Sequence, residues 1–123
     1  MQLADVVRIH VDQIEIYGGP AGIRDLGLLL SAIAMPQASF DGEWLHRDLY
    51  EMAAAYAFHV SRNHAFIDGN KRTALACALV FLEINRISIQ DTEGRLYRTM
   101  TDVASGALDK LGLAEVFQGL ARE

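Results

Sequence analysis

Leu49, Met52, Ala53, Tyr56, Ala57 and Val60 recur at the i, i+3, i+4, i+7, i+8, i+11 spacing of one unbroken apolar stripe on an α-helix. A second segment, Thr73 to Leu82, is apolar on every side except its start. Only a helix set among other helices tolerates that pattern, so it is expected to be a central buried rod. Between the two lies the polar stretch His64-Ala65-Phe66-Ile67-Asp68-Gly69-Asn70-Lys71-Arg72, which must turn one helix into the next. This pairing constrains the chain to an all-α class.

The remaining periodicities fit a bundle of about six helices. Leu3, Val6, Val7, Val11 and Ile14 predict a first helix over roughly 3–16, stopped by Tyr17-Gly18-Gly19-Pro20. Asp25 is placed to cap Leu26 to Ala34, and Pro36 ends that helix. The segment Pro36 to Arg47, with Gly42 and the aromatic pair Phe40 and Trp44, reads as a loop or flap able to order a target peptide as an edge strand. Asp91 or Thr92 can cap a fifth helix with inner face Leu96, Met100 and Val103. Val116, Phe117 and Leu120 predict a short last helix after Gly112. Ile87-Ser88-Ile89 is the only strand-like piece expected.

A length of 123 residues suits one domain with one core. Hydrophobic residues form 51% and charged ones 22%, a balance that favours folding over disorder. No apolar run reaches the ~18 residues of a membrane span, and Asp5 interrupts any signal peptide. A cytoplasmic protein without a membrane partner is expected. The lone Cys77 reads as core packing. A net charge of -5 with only 11 Lys and Arg disfavours direct nucleic-acid binding. His10, His46 and His59 have no ligand spacing with one another and are assigned no metal.

The chemistry concentrates in the polar turn. Backbone N–H groups in the first turn of a helix starting near Asn70 lack intrahelical partners and carry the positive end of the macrodipole, which makes an anion site. Gly69 permits close backbone approach and a positive φ. Asn70 can cap the helix or donate its amide to a phosphate oxygen. Lys71 and Arg72 add a point charge and a planar fork, enough for more than one phosphoryl group. Asp68 would repel phosphates unless a bridging Mg²⁺ joins them, and that ion needs only one or two carboxylates beside phosphate oxygens and water. His64 faces the same turn as a base, since an imidazole can take a proton from a hydroxyl. Phe66 reads as an apolar plug anchoring the loop. Taken singly, each has a bland reading: a helix-end histidine, an Asx turn, a solvated cation pair. Their coincidence at one helix start favours the functional one. A P-loop is excluded by its glycine spacing and by the helix, not a strand, that precedes it.

His64-Ala65-Phe66-Ile67-Asp68-Gly69-Asn70-Lys71-Arg72 resembles the Fic/Doc signature H-x-F-x-(D/E)-(G/A)-N-(G/K)-R at every specified position. Tyr17-Gly18-Gly19 after the first helix, the Arg72-Thr73-Ala74 continuation and the length are similar to the death-on-curing (Doc) toxin branch. The resemblance implies a compact Fic-fold helical bundle covering 1–123. It implies His64 as general base, Asp68 as the Mg²⁺ ligand, and Gly69, Asn70 and Arg72 as phosphate holders. Ala65 replaces a usual proline, and Lys71 replaces the second glycine of the AMP-transferring pattern G-N-G-R. A side chain at Lys71 crowds the α- and β-phosphate pocket. The Doc resemblance then implies a nucleotide bound the other way round, whose γ-phosphate reaches the hydroxyl: a protein kinase using ATP and Mg²⁺.

By the same resemblance the target is a threonine of elongation factor Tu, phosphorylation arrests translation, and the inhibitor is a Phd-like antitoxin whose disordered C-terminal segment folds on the toxin. No (S/T)-x-x-x-E-(G/N) self-inhibitory helix is found; Ser39 and Glu43 have the spacing, but Trp44 follows. The rival readings are a Fic-type adenylyltransferase using the same residues, a non-catalytic phosphate- or protein-binding module, and a helical protein whose motif is accidental.

Overall fold

Six α-helices and four two-residue strands make up the regular structure in this computed structural model, which describes residues 1–40 and 42–122, the side chain of Phe40 excepted. Helix α1 (Leu3–Tyr17) opens with a reciprocal Gln2 and Asp5 capping box and stops at Gly18, whose φ of 86° suits only glycine. Helix α2 (Leu26–Ala34) starts where the sequence reading put it: the Asp25 carboxylate accepts from the Leu28 N–H at 2.9 Å. Pro36 then lies buried in a 3-10 turn, Met35–Gln37.

The segment read as a loop contains a hairpin. Strands β1 (Ser39–Phe40) and β2 (Glu43–Trp44) pair antiparallel, Ser39 opposite Trp44 and Phe40 opposite Glu43. Two residues per strand are too few for an alternation to be legible. Ser39 and Glu43 therefore stand on facing strands and share no helix turn. Trp44 is exposed; the expected exposure of Phe40 falls outside the described side chains.

Helix α3 (Leu49–Asn63) is capped by Asp48, whose carboxylate accepts the Glu51 N–H at 2.8 Å. It packs on α2, the 3-10 turn and all three later helices. Ala53, Ala54, Ala55 and Ala57 are fully buried, and their small side chains let neighbours close in around it. Helix α4 (Asn70–Ile84), which follows the motif, shares the centre. It makes the most extensive contact of the fold with α3 and buries Thr73, Ala74, Cys77, Ala78, Phe81 and Leu82. Its encirclement is incomplete: Leu75, Ala76 and Leu79 are half-buried beside a cleft toward α1. Burial pushes the Cys77 thiol up to about 12, which keeps it protonated and inert.

Strand β3 (Ser88–Ile89) is where the sequence suggested one, and its partner is the chain end: β4 (Ala121–Arg122) runs antiparallel to it. Helix α5 (Arg95–Ser105) buries Leu96, Met100 and Val103. Gly94 occupies its N-cap, while Asp91 reaches over to accept from the N–H groups of Arg95 and Leu96 at 2.7 and 3.0 Å. Helix α6 (Lys110–Leu120) begins before Gly112, not after it, because Asp109 caps it by accepting the Gly112 N–H at 2.8 Å. Gly112 sits inside the first turn, where a Cβ would come within 2.6 Å of the Leu108 side chain. No described helix is long and apolar enough to cross a membrane.

The difference in burial between α3 and α4 is measurable. Ala54→Leu forces a larger side chain into the fully closed α3 face and is expected to cost about 1–3 kcal/mol in chemical denaturation. Ala76→Leu, on the open side of α4, should stay within about 0.5 kcal/mol of wild type.

Candidate active site

The loop between α3 and α4 is held from both ends. His64 leaves α3 at φ 49° and ψ 44°, a left-handed conformation that histidine adopts more readily than most non-glycine residues. Arg24 fixes this reversal: its Nε donates to the His64 carbonyl at 2.9 Å, and Nη2 donates to the same oxygen. Asn63 Nδ2 donates to the Leu28 carbonyl at 2.9 Å, tying the end of α3 to α2. The His64 side chain is exposed and makes no hydrogen bond among the described residues.

The next residues pair with the chain preceding α2. The Ala65 carbonyl accepts from the N–H groups of Arg24 and Asp25 at 2.7 and 3.0 Å, and the Ile67 N–H donates to the Gly22 carbonyl at 3.0 Å. Phe66 lies opposite Ile23 in this bridge and is 1% exposed. Its ring stacks on His10 of α1, centroids 3.9 Å apart and planes 13° from parallel. His10 Nε2 accepts the Gly22 N–H at 3.2 Å, so in the neutral ring the proton sits on Nδ1 and is donated to Thr73 Oγ1 at 3.1 Å. Burial lowers the His10 pKa, partly opposed by the Asp68 charge, which keeps that neutral form favoured.

Asn70 has a different first task from the one expected. Gly69, at φ 73°, is the N-cap, and Asn70 is the first helical residue. Its amide brackets Phe66, Oδ1 accepting the Phe66 N–H at 3.0 Å and Nδ2 donating to the Phe66 carbonyl at 3.1 Å. One amide hydrogen of Nδ2 is left for an anion. The N–H groups of Asn70, Lys71 and Arg72 precede the first intrahelical bond of α4, from the Thr73 N–H to the Gly69 carbonyl at 2.9 Å.

Asp68 Oδ1 accepts the Gly69 N–H at 2.8 Å. Gly19, at φ 107° just beyond α1, passes close to this carboxylate: a Cβ there would lie 2.5 Å from Asp68 Oδ2 and displace it. One exposed carboxylate suits Mg²⁺ arriving with phosphates, which needs few protein ligands. Among the described residues no group of three His, Cys, Asp or Glu could hold a metal by itself. The donor set thus fits a phosphate-borne cation. Lys71 and Arg72 turn toward aromatic rings: the Arg72 guanidinium carbon is 3.9 Å from the Tyr17 centroid and 4.4 Å from that of Tyr97, and Lys71 Nζ is 5.3 Å from Tyr97.

Sequence reasoning missed His10, Arg24, Thr73 and the two tyrosines. A signal existed for His10, a polar residue in register with Val6 and Ile14 on the apolar stripe of α1. None existed for Arg24, forty positions before the carbonyl it holds.

With this loop in view, comparison with known proteins places the chain in a family. Residues 1–82 match the sequence model of the Fic/DOC family, and the chain belongs to it. It is similar to the protein called Toxin Doc of Mycolicibacterium smegmatis, 40% identical over 108 residues covering 85% of this chain and 82% of that one. It is also similar to Protein kinase doc of Escherichia phage P1, 33% identical over 116 residues covering 94% and 90%.

A histidine outside the motif is also strongly displaced. His59 on α3 meets Lys110 of α6, Nε2 to Nζ 3.1 Å; an ammonium can only donate, so the imidazole accepts and is neutral. Burial first, then the charges of Lys110 and His46, lower its pKa from 6.5 to about 4. Unfolded chain therefore binds the extra proton between these values and folded chain does not. Stability is fully present above pH 6.5 and declines as pH falls toward 4. Thermal melts across that range should show the decline, and His59→Gln, which keeps an acceptor for Lys110 without titrating, should flatten part of it. An unchanged slope would contradict the pairing.

Proposed function

We propose that this chain is a toxin whose activity is protein phosphorylation, with ATP as phosphate donor and a protein hydroxyl as acceptor. One observation carries the reading: an exposed imidazole, His64, stands across a pinned loop from the unpaired amides and two cations that open α4. The names of the two relatives support a toxin and a kinase. By the family resemblance the acceptor is a threonine of elongation factor Tu, the outcome is arrested translation in the cytoplasm, and a Phd-like antitoxin restrains the activity.

In this mechanism His64 accepts the proton of the attacking hydroxyl as the new O–P bond forms to the γ-phosphorus and the bond to ADP breaks. The α4 amides, with Lys71 and Arg72, hold the phosphates and offset the charge that builds on the transferred group. Gly69 keeps the cradle open to backbone contact, Asn70 holds the loop through Phe66, and Asp68 supplies the carboxylate for Mg²⁺. Bound there, such an ion would supply positive charge against the phosphates. Arg24 and His10 keep the loop in place while the proton moves. By the family resemblance, Lys71, where the AMP-transferring pattern has glycine, favours transfer of the γ-phosphate over AMP.

Antitoxin-free protein incubated with a bacterial lysate and either γ- or α-labelled ATP tests this directly. Label should reach a protein only from the γ position, and His64→Ala should slow that transfer about 10²- to 10⁴-fold. Label arriving from the α position would assign AMP transfer. No label from either, with His64→Ala as toxic as wild type, would assign a binding module.

A further inference from the structure

Arg72 is half-buried, yet among the described residues it donates no hydrogen bond and meets no carboxylate at ion-pair distance. No Lys or Arg makes an ion pair among the described residues, so what sets Arg72 apart is the company its guanidinium keeps. What surrounds the guanidinium instead are two tyrosine rings, from the end of α1 and from α5, at 3.9 and 4.4 Å. Both lie well inside the ~6 Å reach of a cation–π contact. A carboxylate partner would cancel the charge and occupy the donor fork. Aromatic faces attract the cation through their quadrupoles and leave its charge and all its N–H donors uncommitted.

We infer that Tyr17 and Tyr97 are positioning residues that hold Arg72 charged and undischarged at the opening turn of α4, ready for a polyphosphate. The inference rests on the phosphate-binding part of the proposed function. Tyr97 reaches Arg72 across a cleft of about 240 Å³ whose walls include Gln13, Tyr17, Leu75 and Leu79, so α1, α4 and α5 jointly set the position of one guanidinium. Lys71, 5.3 Å from Tyr97, shares the same ring more weakly. Neither tyrosine belongs to the core, with Tyr17 57% and Tyr97 40% exposed, so replacing them leaves the packing of the bundle intact.

A double-mutant cycle tests the clamp. Calorimetric titration with inorganic tripolyphosphate, and with ATP and Mg²⁺, is made on wild type, Tyr97→Leu, Arg72→Ala and the double variant, with thermal melts confirming that each is folded. Tripolyphosphate has no base or sugar, so its binding reads the phosphate contacts alone. Tyr97→Leu should weaken both anions about 3- to 30-fold, and Tyr97→Phe, which keeps the ring, should stay within about twofold of wild type. With Arg72→Ala already present, Tyr97→Leu should add no more than about a twofold residue through Lys71, since the two changes remove one interaction. Equal losses from Tyr97→Leu in both backgrounds, or a Tyr97→Phe loss as large as that of Tyr97→Leu, would overturn the clamp while leaving the phosphate site standing. A wild-type chain that binds neither anion would overturn the clamp and the phosphate reading together.

Discussion

The stack of His10 on Phe66 is the contact on which the motif loop depends. One buried ring on α1 covers the loop's aromatic residue, receives the Gly22 N–H, and donates to Thr73 on α4. Three separate chain segments meet there, and a neutral imidazole is the one side chain that can accept at one edge, donate at the other and offer an apolar face between them. Protonation would turn the accepting edge into a second donor pointed at an N–H. Burial guards against that by disfavouring the charged ring.

With Phe66 fixed, the geometry on either side follows. His64 and Gly69 both adopt left-handed backbone, at φ 49° and 73°, and between them the chain turns from the end of one helix to the start of the next. A non-glycine residue held in that region costs on the order of 1–3 kcal/mol, and the Arg24 bonds to the His64 carbonyl, with the Gly22 to Asp25 pairing, are what offset it. The strain leaves the histidine side chain outside the core while the first amides of α4 open onto the same loop. Charge is handled similarly: Arg72 is flanked by aromatic rings and not by a carboxylate, so its guanidinium is not neutralised by an ion pair.

Much of the fold was legible because its signals are local. Apolar stripes on α1, α3 and α5 repeat within a few residues, and Asp25 lies next to the amides it caps. The start of α6 is misplaced by reading glycine as a helix end, whereas Gly112 lies inside the first turn with the Leu108 side chain close over it. Asp91 caps α5 from outside a turn that Gly94 makes, which obscured the boundary. The hairpin and the β3–β4 pair are too short for any period, and β4 comes from the other end of the chain.

The motif residues were legible as a cluster because they are contiguous. Their supports were not, since Arg24, His10, Tyr17 and Tyr97 reach the loop only through the tertiary fold. Asn70 shows the limit of reading residue type: that its amide brackets Phe66, with one hydrogen left over for an anion, is visible only in the fold.

The central claim is that a triphosphate sits on the opening turn of α4 with its terminal phosphorus turned to His64. A crystal structure with Mg²⁺ and a non-hydrolysable ATP analogue tests it most directly. The γ-phosphate should lie against the amides of Asn70, Lys71 and Arg72, with an acceptor position open between it and the imidazole. A nucleotide bound elsewhere, or one presenting its α-phosphorus to His64, would contradict it.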